Sequence, residues 1–114
     1  MTKEKLLKIF QAAKVNRRTS LTLGDHKIQE LPPEIGDITN LMDLDMSRNE
    51  LESLPAEIKN LKKLKRLGLN YQKFTFFPVE ICSLKKLGEL YLRGNKITER
   101  SEERRVGKEC RSRW

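Results

Sequence analysis

Apolar and polar residues along the chain fall into a recurring frame. One set of positions alternates, as in Leu44-Asp45-Met46-Ser47, a period of two that suits a strand with one buried face. A second set recurs every three residues, as in Ile58, Leu61 and Leu64, which suits a helical or 3-10 turn. A proline precedes each such turn, at Pro32, Pro55 and Pro78. Proline carries no N–H and ends any strand there. Ahead of the frame, Leu6, Leu7, Ile9, Phe10 and Ala13 follow helical spacing with lysines between them.

The frame has a fixed length. Leu21, Leu44, Leu67 and Leu90 stand 23 residues apart, and the apolar positions behind them recur in phase. The first unit runs Leu21, Leu23, Ile28, Leu31, Pro32, Ile35, Ile38, Leu41. The second runs Leu44, Met46, Leu51, Leu54, Pro55, Ile58, Leu61, Leu64. The third runs Leu67, Leu69, Phe74, Phe77, Pro78, Ile81, Leu84, Leu87, and a fourth opens with Leu90, Leu92 and Ile97. Self-similarity at a period of 20 to 50 residues marks a solenoid or an array.

The template LxxLxLxxNxLxxLPxxIxx, matched over residues 18–99, resembles the 23-residue class of leucine-rich repeat. The resemblance implies an α/β fold: a right-handed solenoid with short parallel strands on the concave face and helical or 3-10 turns on the convex face. Strands are expected at Leu21 to Leu23, Leu44 to Met46, Leu67 to Leu69 and Leu90 to Leu92. The domain reading is an N-terminal capping helix over 1–18 and repeats over 19–99, as units 21–43, 44–66, 67–89 and a partial 90–99. A cap fits because the first strand would otherwise leave an apolar end open. A basic helix lying on a membrane is the competing reading, and the apolar face is short for that role.

Asn49 and Asn95 occupy the template's asparagine position, where a buried amide can bond backbone that no strand ladder reaches. Gln72 holds the same position with a longer stem, and His26 holds it in the first unit. His26 is the only histidine. It is read as a ladder substitute rather than as a metal ligand or base.

The repeat is expected to break at residue 100, where the template asks for Leu and the chain has Arg100 followed by Ser101. Residues 100–114 resemble a translated sequencing adapter, whose codons AGA TCG GAA GAG CGT CGT spell Arg-Ser-Glu-Glu-Arg-Arg. They are read as a non-native tail, so the chain is expected to be the N-terminal fragment of a longer protein. Without that tail the net charge falls from +8 to +5. Of the two cysteines, Cys110 leaves with the tail. Cys82, in a turn between Ile81 and Ser83, then reads as a small filler.

Composition narrows the function. With 37% hydrophobic and 35% charged residues, the chain is too apolar for a disordered tail and too charged for a membrane protein. No apolar run approaches the roughly 18 residues that span a bilayer. Lys3, Glu4, Lys5 and Lys8 interrupt any signal-peptide core, and the cysteines lack the pairing of secreted repeat caps. A cytoplasmic location is expected. No Walker loop, G-x-G-x-x-G, zinc spacing or nucleophile–base arrangement is present, so neither catalysis nor a cofactor is expected.

The outward strand positions form columns on the concave face: Ser20, Asp43, Arg66, Glu89; Thr22, Asp45, Gly68, Tyr91; Gly24, Ser47, Asn70, Arg93; and Asp25, Arg48, Tyr71, Gly94. From them Asp45, Arg48, Arg66, Asn70, Tyr71, Tyr91 and Arg93 are taken as a protein-binding surface, centred on Arg48, Tyr71, Tyr91 and Arg93. Tyrosine and arginine are the usual interface hot spots. The columns carry no dominant sign, which favours a protein partner over nucleic acid. Lys59, Lys62, Lys63, Lys65, Lys85 and Lys86 lie on or beside the outer turns, where lysines are ordinarily solvated. The LPxxI signature also resembles Ras-binding repeat scaffolds and bacterial repeat proteins, including the Roco type with a GTPase domain. These imply a scaffold in intracellular signalling, or the repeat region of a multidomain GTPase or kinase.

Overall fold

The computed structural model describes residues 1–97. It begins with helix α1, Lys3–Val15, followed by four three-residue strands: β1 Ser20–Thr22, β2 Asp43–Asp45, β3 Arg66–Gly68 and β4 Glu89–Tyr91. They form one sheet in the order β1-β2-β3-β4, each pair parallel. Leu21, Leu44, Leu67 and Leu90 stand in register across it, so the 23-residue period of the sequence is the step of the sheet. Each strand starts one residue before the expected segment, and its ladder runs past the strand's end. Leu23 N donates to Asp45 O at 2.8 Å, Met46 N to Gly68 O at 2.8 Å, and Leu69 N to Tyr91 O at 2.8 Å.

Between successive strands lies a 3-10 turn: Pro33–Asp37, Ala56–Asn60 and Val79–Ser83. In each case the template proline sits just before the turn in an extended conformation. Its fixed φ stops the incoming segment and sets up the first turn residue. Ile35, Ile58 and Ile81 point from these turns into the core. The core is a single stack of template residues, with Leu44, Met46, Leu51, Leu61, Leu64, Leu67 and Leu69 fully buried. In the fourth unit Leu90, Leu92 and Ile97 are only half-buried, because among the described residues no further strand covers β4.

Helix α1 closes the other end. Leu6, Phe10 and Ala13, spaced four and three apart, are buried in the same core as β1. The Thr2 hydroxyl accepts from Lys5 N at 3.2 Å and caps the helix start. Glu4 in the first turn and Lys14 in the last suit the helix dipole.

Two flanks join the sheet to the turns, and each is stitched by its own backbone bonds. On the flank that enters the strands, Met42 N donates to Thr19 O at 2.7 Å, Lys65 N to Met42 O at 2.8 Å and Gly88 N to Lys65 O at 2.9 Å. On the flank that leaves them, Glu50 N donates to Ile28 O at 2.8 Å, Lys73 N to Leu51 O at 2.8 Å and Lys96 N to Phe74 O at 3.0 Å.

The asparagine position is the third ladder. Asn49 Oδ1 accepts from His26 N at 3.1 Å and Ile28 N at 3.0 Å, while its Nδ2 donates to Leu23 O at 2.9 Å and Met46 O at 2.6 Å. Asn95 repeats the pattern one step on, bonding Gln72 N, Phe74 N, Leu69 O and Leu92 O. Gln72 keeps the role with a longer reach: Oε1 accepts from Leu51 N at 3.1 Å and Nε2 donates to Met46 O and Asn70 O.

Two expectations do not survive. His26 is exposed, and its side chain joins no ladder. Ladder amides reach back to the preceding unit, and the first unit has α1 there instead. What His26 supplies is backbone: its N–H goes to Asn49, and its carbonyl accepts from the Met1 ammonium at 2.9 Å. Cys82 is half-buried, but it is not a free thiol, so it is more than a small filler. The proposed non-native tail, 100–114, lies outside the described residues.

Candidate protein-binding face

The strand residues whose side chains leave the core share one face of the sheet. All seven residues picked out from the sequence lie on it, and the structure joins most of them into two stacks and one polar ladder.

The first stack lies where the strands end. Asp25, Arg48 and Tyr71 have φ of 63°, 63° and 56°, and Gly94 has φ of 80°. The recurrence is forced by the ladder: Asp25 N donates to Ser47 O, Arg48 N to Asn70 O and Tyr71 N to Arg93 O, so each unit must bend away from its strand at the same point. A left-handed residue with a side chain costs about 1 kcal/mol. At Arg48 and Tyr71 that conformation throws the side chains onto a common ridge. The Arg48 guanidinium lies over the Tyr71 ring, 5.0 Å from its centroid. On its other side the ring lies against Gly94, where any Cβ would collide with ring atoms. Glycine is therefore required at 94 both for its φ and for its missing side chain. Tyr71 is held on two sides yet remains 43% exposed.

The second stack lies where the strands begin. Arg66 sits over the Tyr91 ring at 5.4 Å and pairs with Asp43, Nη1 to Oδ2, at 3.5 Å. Asp43 pushes the Arg66 pKa up; burial is the next influence and opposes it, and Tyr91, Glu89 and Asp45 add to the rise. The Tyr91 hydroxyl donates to Glu89 Oε1 at 3.1 Å. Arg66 thus has its charge largely answered within the chain. Arg48 and Arg93 make no ion pair among the described residues.

Between the stacks runs the polar ladder. Asp45 Oδ1 accepts from Ser47 N at 2.9 Å, Ser47 Oγ from Asn70 N at 3.3 Å, and Asn70 Oδ1 from Arg93 N at 2.8 Å. Asp45 and Asn70 are half-buried and partly committed to holding the backbone. Gly68 stands beside Asp45, and a Cβ there would come within 2.7 Å of Asp45 Oδ1.

Two features escaped the sequence reading. One is the division of the face into an arginine whose charge is answered and two whose charge is not; that depends on which columns lean together. The other is two exposed apolar residues off the face, Phe76 at 55% on the flank leaving β3 and Val79 at 43% at the start of the turn that follows. Phe76 stands in phase with Glu30 and Ser53, so a phenylalanine at a position otherwise polar was the available signal.

Among the described residues no group of three histidine, cysteine, aspartate or glutamate side chains is placed to hold a metal ion. Nor, among the described residues, is any helix long and apolar enough to cross a membrane.

A one-sheet parallel stack with a 3-10 turn per 23 residues and an internal amide ladder defines a solenoid repeat protein. A family model described as a leucine-rich repeat region matches residues 17–109, and the chain belongs to the leucine-rich repeat family. It is similar to a leucine-rich repeat protein of Leptospira interrogans, with 39% identity and a TM-score of 0.72, covering 85% of this chain and 23% of that one. It is also similar to an internalin of Listeria monocytogenes, with 25% identity and a TM-score of 0.67, covering 81% and 26%. A third likeness is to the repeat ectodomain of the plant membrane receptor kinase GASSHO1/SCHENGEN3 from Arabidopsis thaliana, solved in complex with Casparian strip integrity factor 2. There the identity is 31%, the TM-score 0.64 and the coverage 75% and 11%. The chain therefore spans about a quarter or less of the length of these proteins. No curated protein matches it.

Proposed function

We propose that the chain is a non-catalytic, cytoplasmic protein-interaction module whose concave face binds a protein partner through Arg48, Tyr71, Tyr91 and Arg93. Repeat domains of this family are typically protein-binding, and the plant ectodomain is an example of one seen with a bound partner. The observation that carries the reading is the Arg48–Tyr71–Gly94 stack. A large aromatic group and a guanidinium are held in place before any partner arrives, yet stay exposed, so little side-chain entropy is lost on binding. Arg48 and Arg93 bring unanswered positive charge to the same ridge, which favours a partner segment carrying carboxylates there. The signalling scaffold and the repeat region of a larger GTPase or kinase share this surface, and the reading holds for either.

The test begins with peptides selected from a random displayed library against the chain, followed by titration of the recovered ligand. Tyr71→Ala with Tyr91→Ala weakens it by about 2 kcal/mol or more, the range of paired hot spots, with the circular dichroism spectrum unchanged. A ligand that tolerates both changes but is lost on replacing flank lysines refutes the assignment.

A further inference from the structure

The two flanks of the solenoid differ sharply in charge. The entering flank, residues 14–19, 39–42, 62–65 and 85–88, carries Lys14, Arg17, Arg18, Lys62, Lys63, Lys65, Lys85 and Lys86 and no acidic residue. The leaving flank, residues 26–30, 49–53, 72–76 and 95–97, balances Lys27, Lys73 and Lys96 against Glu30, Glu50 and Glu52. The ladder from Thr19 through Met42 and Lys65 to Gly88 lays the basic segments side by side. Lys62 and Lys85 therefore fall in one row, and Lys63 and Lys86 in the next. Lys63 reaches back along its row, its Nζ donating to Asn40 Oδ1 at 3.2 Å. All six lysines of this flank are exposed, and none makes an ion pair among the described residues. The acids at the rim are Asp37, which lines the same hollow as Lys14 and Arg17, and Asp43 and Glu89, which directly follow the segments at the starts of β2 and β4.

We propose that this flank docks the protein on an anionic lipid surface. Neighbouring segments lie roughly 5 Å apart, as parallel strands do, inside the Debye length of about 8 Å at physiological salt. The lysines therefore act on a facing surface as one charged plate, and their mutual repulsion is relieved by anionic headgroups. The chemistry selects lipid over nucleic acid. Six of the flank's eight basic residues are lysines, flexible and hydrated point charges, and no exposed aromatic stands among them. It can follow a fluid sheet of headgroups, but it offers no stacking platform for bases. The concave face points elsewhere, so a docked module keeps that face free, and the proposal does not depend on the protein-binding reading.

The test is cosedimentation of the full chain with vesicles of one-third phosphatidylserine in phosphatidylcholine, against pure phosphatidylcholine. Two triple variants with the same change in net charge are compared: Lys62→Glu, Lys63→Glu, Lys85→Glu on the entering flank, and Lys27→Glu, Lys73→Glu, Lys96→Glu on the leaving flank. Each lysine near an anionic surface contributes roughly a fivefold factor. The entering-flank variant therefore loses at least about tenfold in partitioning, while the leaving-flank variant loses no more than about threefold. Binding disappears on pure phosphatidylcholine and at about 1 M salt, where the screening length falls to about 3 Å. Should the glutamate variants unfold, the glutamine series at the same positions is measured instead. No binding to anionic vesicles overturns the proposal. So does an equal loss in both variants, or tighter binding to single-stranded DNA than to vesicles at the same salt.

Discussion

Replacing Asn49 by alanine removes a side chain that bonds four backbone groups across two units. Its loss strips the partner from Ile28 N and Leu23 O, both buried, and from the partly buried His26 N; Met46 O keeps the Gln72 amide. A buried polar group left without a partner costs about 1–3 kcal/mol. Two such groups and a partial third give a cost of about 4 kcal/mol, a large share of any small domain's stability. Asn95 offers an internal comparison, since it makes the same four kinds of bond. It is half-buried rather than 6% exposed like Asn49, so water replaces part of what alanine removes. Asn95→Ala is expected to cost about 1–2 kcal/mol. Urea unfolding followed by circular dichroism measures both, and at roughly 4–8 °C per kcal/mol for a chain of this size the melting temperatures separate clearly. An Asn49→Ala cost below about 1.5 kcal/mol would refute the reasoning, as would equal costs at the two positions; the amide ladder would then be incidental to the fold.

Three further outcomes follow from local geometry. Tyr71→Gly is expected to be more stable than Tyr71→Ala by about 1 kcal/mol in the same unfolding assay, because the residue's φ of 56° penalises any Cβ; an alanine advantage would contradict the left-handed assignment. Gly68→Ala costs about 1 kcal/mol or more, since the new methyl meets Asp45 Oδ1 and disturbs its bond to Ser47 N. A double-mutant cycle with Asp45→Ala checks this, the glycine change being nearly free once the carboxylate is gone. Thr2→Ala, which removes the cap on α1, lowers stability by about 1 kcal/mol; no change in melting temperature would mean that α1 is not coupled to the repeat core.

The exposed strand residues show where sequence reasoning stops. Arg48 and Arg66 look equivalent as arginines beside tyrosines. Only the register, which sets Asp43 against Arg66, makes one of them an internally answered charge and leaves the other open. Phe76 was visible as a phenylalanine at a polar template position, yet its exposure followed only from the flank's course. His26 was misread because the template assigns a role by position. That role also needs a unit upstream to bond, and the first unit packs on a helix instead.

What the sequence determined alone was the fold's step and its interior. Apolar residues at fixed intervals can all be buried together only if each 23-residue unit makes one turn, and every unit repeats the demand, so the strands, the 3-10 turns and the core list were legible from spacing. The tertiary structure decided everything that depends on neighbours in space. Which amide bonds which backbone, which guanidinium covers which ring, which glycine admits a tyrosine and which flank gathers the lysines all arise between residues 21 to 26 positions apart. Such contacts exist only after stacking brings successive units side by side. Burial is a property of each unit and is written into its pattern; pairing is a property of the stack.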